Sequence, residues 1–302
     1  MILAVGNPVY DYIETPEVST KTRVLSGCST NACLALSKLG ESTTLVGCVG
    51  RDFRRRFTVD MGRHGISYRL CASPQTGGFS LVYDHKGDRT LDILGVASPI
   101  AWIPDVGQTP RAVIVGPVLG EVSFELVAAL RERFHCPLFL DVQGLVRVIE
   151  AGRVRRTKLA GVEEAVGVFD VAKPNEYEAT VLTGLDPRRE PRACVEAVHA
   201  MGCRVAVVTL AEAGSVVFDG EAYLEIPAYP VKAVDPTGAG DTYLGGFVYQ
   251  YLRSRDLTKA ACFASAVASA MVEHTGPDFP LTLEEAWRRT EALLPGVKRY
   301  GR

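Results

Sequence analysis

Short apolar runs alternate with helical patterns along almost the whole of this 302-residue chain, and no other feature constrains the fold as strongly. Residues 2–5, 43–49, 112–115, 138–140, 168–171 and 205–210 read as buried strands. Between them, apolar residues recur at helical spacing over 29–39, 53–64, 123–134, 177–182 and 192–201. Gly40 and Gly65 stop the first two of these helices. From Ala239 onward the chain reads as mainly helical. Strands that are apolar at every residue need cover on both faces, and parallel neighbours need a crossover, here a helix. The expected fold class is therefore α/β, a three-layer α/β/α sandwich around a mostly parallel central sheet. Segments 9–25 and 77–94 break the pattern. They alternate polar with apolar residues and have no helical period, as strands with one wet face do. The expectation is a single domain over 1–302, with a small β-sheet lid formed by these two segments.

The hydrophobic content of 47% is ample for a large core. A net charge of −2 gives no electrostatic case for nucleic acid or an anionic membrane as partner. No apolar run reaches the length of a transmembrane helix. Residues 1–6 lack the basic start of a signal peptide, so a cytoplasmic location is expected. The 8 cysteines form no CxxC pair, which argues against zinc and for small buried apolar roles. Asparagine and glutamine are scarce, which fits a thermophile; that most of the 33 basic residues are arginine is a weaker sign. In such a setting an intracellular disulfide stays open.

The stretch Val234-Asp235-Pro236-Thr237-Gly238-Ala239-Gly240-Asp241-Thr242 precedes an apolar run at helical spacing. Small residues at a helix start leave backbone N–H groups unshielded, which attracts anions and phosphate above all. A carboxylate there repels phosphate, yet it is well placed to take a proton from a hydroxyl attacking that phosphate. The plainer alternative is a glycine turn followed by an aspartate that suits the helix dipole. No GxxxxGK[ST] string occurs, and the first strand ends in Gly6-Asn7-Pro8 rather than GxGxxG. P-loop and dinucleotide-binding readings thus lose their main support.

The string from Asp235 to Thr242, followed by Gly245-Gly246, resembles the C-terminal signature of the ribokinase-like (PfkB) carbohydrate kinases. The resemblance implies Asp241 as general base, and Gly238, Ala239 and Gly240 as an anion hole. Further segments resemble the same family in its order. Gly6-Asn7-Pro8-Val9-Tyr10-Asp11 implies that Asp11 accepts hydrogen bonds from substrate hydroxyls; on its own Asp11 reads equally as a turn residue. Ser26-Gly27-Cys28-Ser29-Thr30-Asn31 implies Gly27 and Asn31 as substrate contacts, with helix capping as the alternative. It departs from the family's paired glycines by having Gly27-Cys28. Val46-Gly47-Cys48-Val49-Gly50-Arg51-Asp52-Phe53 matches in part, with Arg54-Arg55-Arg56 where a glycine is usual.

Lys173-Pro174-Asn175-Glu176-Tyr177-Glu178 resembles the family's Asn-x-x-Glu motif. It implies Asn175 at the nucleotide and Glu178 at Mg2+, held through water; the alternative is a capping box. Thr209, Gly214, Thr237 and Gly276 are the other implied nucleotide contacts, and Asp235 is implied at a monovalent cation such as K+. The segment Leu140-Asp141-Val142-Gln143-Gly144-Leu145-Val146-Arg147, with Gly87-Asp88-Arg89 and Ala97-Ser98-Pro99-Ile100, looks like the myo-inositol kinase branch. It implies Gln143 and Arg147 as substrate contacts. The implied activity is phosphoryl transfer from ATP, with ADP as alternative donor, to a sugar or cyclic polyol that is inositol- or ribose-like. A nucleoside or a sugar phosphate is the alternative acceptor, and a non-catalytic ligand-binding homologue is the alternative class. Exposed lid edges lead to the expectation of a homodimer through the lid.

Overall fold

In the computed structural model, described for residues 1–84 and 89–301 with the side chain of Arg89 excepted, the first strand shows how the layers arise. β1 (Ile2–Val5) is buried at every residue. Ile2 and Ala4 enter one core and Leu3 and Val5 the other, because successive side chains of a strand point to opposite faces. In chain order there follow β2 (Val9–Glu14), β3 (Val24–Ser26), α1 (Cys28–Lys38), β4 (Thr43–Val49), α2 (Arg54–Arg63), β5 (Ser67–Ala72), β6 (Gly78–Tyr83) and β7 (Arg89–Gly95). Next come β8 (Ala112–Val115), α3 (Phe124–Arg133), β9 (Leu138–Asp141), β10 (Arg147–Glu150), β11 (Arg153–Arg156), α4 (Val162–Gly167), β12 (Val171–Lys173), α5 (Glu176–Thr183), α6 (Pro191–His199) and β13 (Val205–Thr209). β14 (Ser215–Phe218), β15 (Ala222–Ile226), α7 (Ala239–Ser254), α8 (Leu257–Val272), α9 (Leu283–Leu293) and β16 (Lys298–Gly301) complete the chain.

The main sheet has 10 strands in the order β16-β15-β14-β13-β12-β9-β8-β1-β4-β5. Every pairing from β5 to β13 is parallel, and β14, β15 and β16 extend the sheet antiparallel. One core packs α1, α2, α7, α8 and α9 on one face; the other packs α3, α4, α5 and α6 on the opposite face. This is the expected three-layer α/β/α arrangement. Two readings of the sequence are corrected. The strand expected over 168–171 begins only at Val171, because the Val168 N–H still donates to Ala165 O at the end of α4 and Phe169 to Val166 O. The antiparallel strands β14 to β16 were not foreseen. Asp219-Gly220 between β14 and β15 is a hairpin signal: Gly220 has φ 92° and Asp219 Oδ1 accepts from the N–H groups of Glu221 and Ala222.

The two alternating segments form a second sheet of four strands, β3-β2-β6-β7, in which β2 pairs with β6 in parallel and the outer pairs are antiparallel. Gly87, Asp88 and the Arg89 side chain, part of the inositol-like cue, lie outside the described residues. All eight cysteines are free. No helix among the described residues is long and apolar enough to cross a membrane.

Candidate functional site

Parallel strands present their carboxyl ends along one edge of a sheet, and there two buried charged residues meet. Asp141 ends β9 and Lys173 ends β12, directly opposite each other in the parallel register. Lys173 Nζ lies 2.9 Å from Asp141 Oδ2, and both side chains are buried. Asn175 follows β12 and bridges to Thr209 at the end of β13. The first turn of α7 faces this edge.

Gly238 caps α7 with φ 85°, a left-handed conformation that favours glycine. A Cβ there would come within 2.6 Å of Asn31 Nδ2. A Cβ on Gly240 would come within 3.1 Å of Lys173 Nζ, so the absence of a side chain lets the ammonium approach the turn. Three free N–H groups were expected from Gly238, Ala239 and Gly240. Ala239 instead donates to Pro236 O at 3.1 Å, closing the tight turn, while those of Gly238 and Gly240 make no hydrogen bond among the described residues.

Asp241 is half-buried, and its Oδ2 accepts a 2.8 Å hydrogen bond from Asn31 Nδ2. Burial pushes its carboxyl above the usual aspartate range and the charge of Asp141 adds to this; Asn31, Lys173 and the Cys28 thiol act the other way. Ligating atoms of Cys28, Asp141 and Asp241 all lie within 4.8 Å of one another. Gln143 Nε2 donates to Cys28 Sγ at 3.0 Å, so Gln143 does reach the cluster. Burial would lower the Lys173 ammonium, yet the charges of Asp141, Glu178 and Asp241 more than offset it and hold the pKa above the ordinary lysine value. Burial, then Asp141, raises Glu178, and Lys173 opposes. Lys173 and Asp141 had no role assigned from sequence. The available signal was a charged residue at the end of each of two apolar strands, since buried Lys and Asp are rare unless paired.

Of the other expected contacts, Asp11 sits within β2 rather than at a turn, and its Oδ1 accepts from the Phe79 N–H at 2.8 Å. Gly27 has φ 113° and precedes α1. Arg147 is buried, with Nη1 donating to Val118 O at 3.3 Å. Asn175 and Glu178 form a capping box: Asn175 Oδ1 accepts from the Glu178 N–H at 3.0 Å, and Glu178 Oε2 from the Asn175 N–H at 2.9 Å. Glu178 Oε1 also accepts from Asn175 Nδ2 at 2.9 Å. Gly214 has φ 91°, and a Cβ would overlap Ile226 O. Thr237 and Gly276 line a narrow cavity together with Ser26, Asn31 and Thr242. Asp235 is buried; its Oδ1 accepts from the Thr237 N–H at 2.8 Å, while Oδ2 has no hydrogen-bond partner among the described residues. Burial raises its carboxyl, against the nearby hydroxyls of Thr237 and Thr275.

A base in the acceptor would call for an aromatic side chain to stack on, and the small sheet carries Tyr10, Tyr12 and Phe79. Tyr10 is buried, stacked on Phe53 at 4.3 Å and hydrogen-bonded to Asp60 at 2.6 Å. Tyr12 lies exposed beneath Arg23, and Phe79 is buried with Ile13 and Leu81. Arg54, Arg55 and Arg56 sit on the exposed face of α2, where Arg56 covers the Tyr10 ring.

The sequence profile of the family described as "pfkB family carbohydrate kinase" matches residues 114–284. A nucleoside kinase of Methanothermobacter thermautotrophicus is 31% identical over 294 residues, covering 91% of this chain and 90% of that protein. An inositol 3-kinase of Arabidopsis thaliana is 28% identical, covering 93% of this chain and 77% of that protein. Among solved structures, a pyrophosphate-dependent kinase in the ribokinase family, complexed with a pyrophosphate analog and myo-inositol, superposes with a TM-score of 0.79 at 25% identity. That match covers 95% of this chain and 100% of that one.

Proposed function

The chain belongs to the pfkB family of carbohydrate kinases, a phosphotransferase family with hydroxyl acceptors, and on that premise we propose that it transfers the terminal phosphoryl group of ATP to a hydroxyl of a sugar or cyclic polyol. The observation that carries this reading is Asp241: a carboxylate with a raised pKa, half-buried in the first turn of α7 and oriented by Asn31 beside two N–H groups that make no hydrogen bond among the described residues. Asp241 takes the proton of the attacking hydroxyl at its carboxylate. The N–H groups of Gly238 and Gly240 stabilise charge on the transferred phosphoryl group, and the Lys173 ammonium, paired with Asp141, stands beside Gly240. The small sheet acts as a lid that keeps water from competing as acceptor.

Carboxylate oxygens of Asp141 and Asp241 lie within 4.8 Å of each other, and Glu178 is near enough to Asp141 to feel its charge, an arrangement that suits a hard cation with oxygen ligands. Glu178 is occupied by its cap with Asn175, which fits contact with Mg2+ through water rather than directly. Bound Mg2+ would neutralise the donor phosphates. The buried, unbonded Asp235 Oδ2 fits a monovalent cation such as K+.

The burial of Tyr10 and Phe79 in other contacts supports an acceptor without a base to stack. The similarity to an inositol 3-kinase and to a structure with myo-inositol agrees with it. A nucleoside acceptor is the second reading, favoured by the 31% identity to a nucleoside kinase. The test is a phosphoryl-transfer panel of wild type and Asp241→Asn against inositols, pentoses, hexoses, sugar phosphates and nucleosides, with ATP, ADP or pyrophosphate and Mg2+. Turnover of a polyol or free sugar, lost in the variant, is expected. Preferred turnover of nucleosides would replace the first reading with the second. Turnover unchanged in Asp241→Asn would remove the proposed base.

A further inference from the structure

The small sheet is hydrogen-bonded to the segment that carries the phosphate turn, and it is so at two places. Thr15, just beyond β2, donates from Oγ1 to Val234 O at 2.9 Å. Thr237 Oγ1 donates to the hydroxyl of Tyr83, the last residue of β6, at 3.0 Å. Both contacts fall on the residues immediately before Gly238. That segment is braced within the body as well: the N–H groups of Val234 and Asp235 both donate to Val272 O, at 2.7 and 3.1 Å, and the Thr237 N–H donates to Asp235. The Tyr83 ring is buried among Val9, Ile13, Phe79 and Leu81 of the small sheet, together with Cys28 and Val118 of the body. Its position therefore follows that of the sheet.

We propose that Tyr83 is a positioning residue that acts through Thr237, holding the Gly238–Gly240 turn in its phosphate-binding form while the small sheet is seated. The inference rests on the kinase reading for its functional consequence, though not for its geometry. Any displacement of the sheet stretches the Tyr83–Thr237 bond and frees the turn, where Gly238 gives the chain wide conformational latitude. Acceptor held beneath the sheet then tightens donor binding, and donor tightens acceptor binding by the same factor. One neutral hydrogen bond sets that factor at about two- to tenfold.

Tyr83→Phe keeps the ring in its apolar site and removes only the hydroxyl, so the fold is expected to survive. Amide hydrogen exchange of the ligand-free protein reads the turn directly. The expected result is exchange about two- to tenfold faster over residues 234–242 in Tyr83→Phe, with the main sheet unchanged. Thr15→Val should quicken the same stretch. Equal exchange there in wild type and Tyr83→Phe overturns the proposal. On the acceptor that wild type turns over, Tyr83→Phe should raise the KM for donor by the same factor with kcat little changed; faster exchange without that KM shift overturns the coupling. Should wild type turn over nothing in the panel, the kinase reading fails separately and exchange alone decides the role of Tyr83.

Discussion

Asp241 is held in a place where a carboxylate is costly, with burial and the charge of Asp141 both opposing its ionisation. Its carboxyl titrates above the ordinary aspartate value, so across that interval the folded chain binds more protons than the unfolded one. Stability then falls as pH rises through the interval. Asparagine carries no such charge. Asp241→Asn is expected to melt at a higher temperature than wild type at pH 7, with the gap closing as pH falls toward the ordinary aspartate range, while turnover drops by about 10²–10⁴. Thermal melts across that pH range, alongside the turnover assay, check it; a variant less stable than wild type at pH 7 would show that the site does not strain its base. Asp241, Gly238 and Asn31 were legible in the sequence because the turn is a local string and its partner sits at the start of another. The Lys173–Asp141 pair was not. Its members meet only through the pairing of β9 with β12, and nothing local to either residue states that register.

At the scale of elements, α5 shows how one pattern serves two purposes. The Asn175-x-x-Glu178 spacing was read both as a capping box and as a cation-directed pair, and the hydrogen bonds supply the box in full. The two roles separate by substitution. Glu178→Gln keeps an acceptor at the third helical position but loses the charge. It is expected to hold the thermal midpoint near that of wild type while raising the Mg2+ concentration needed for half-maximal turnover. Glu178→Ala also removes the acceptor for the Asn175 N–H, its own half of the capping box, at a cost of about 1 kcal/mol. Equal Mg2+ dependence in wild type and Glu178→Gln would leave Glu178 a capping residue alone. Elements with strong periodicity were legible to within a residue or two, as α1 and α3 show. β12 was misplaced because the apolar residues Val168 and Phe169 finish α4 and pack inward from its end, which a count of apolar residues does not distinguish from a strand.

Across the whole molecule, the α/β/α layering was legible because a buried parallel strand has to be apolar on both faces, and few other folds ask that of so many short runs. Of the antiparallel extension, the β14-β15 hairpin carried a signal in Asp219-Gly220, whereas β16 was hidden, since it pairs with β15 from the far end of the chain. The small sheet was legible from its alternation, and the same alternation raises the question of what meets its outer face. Tyr12 and Val82 are 41% and 37% exposed there. They lie on one face, because Tyr12 stands opposite Ser80 and Glu14 opposite Val82 in the parallel register of β2 and β6. The strand order leaves β3 and β7 as edges, and the exposed apolar side chains between them invite a second copy. Light scattering is expected to give twice the mass of one chain at micromolar concentration, and Tyr12→Lys with Val82→Glu to return it to one chain. The substituted positions face away from Asp11, so dissociation should leave the fold intact by circular dichroism. A wild-type mass of one chain at the concentration used for turnover would remove the dimer and leave the face of Tyr12 and Val82 in solvent.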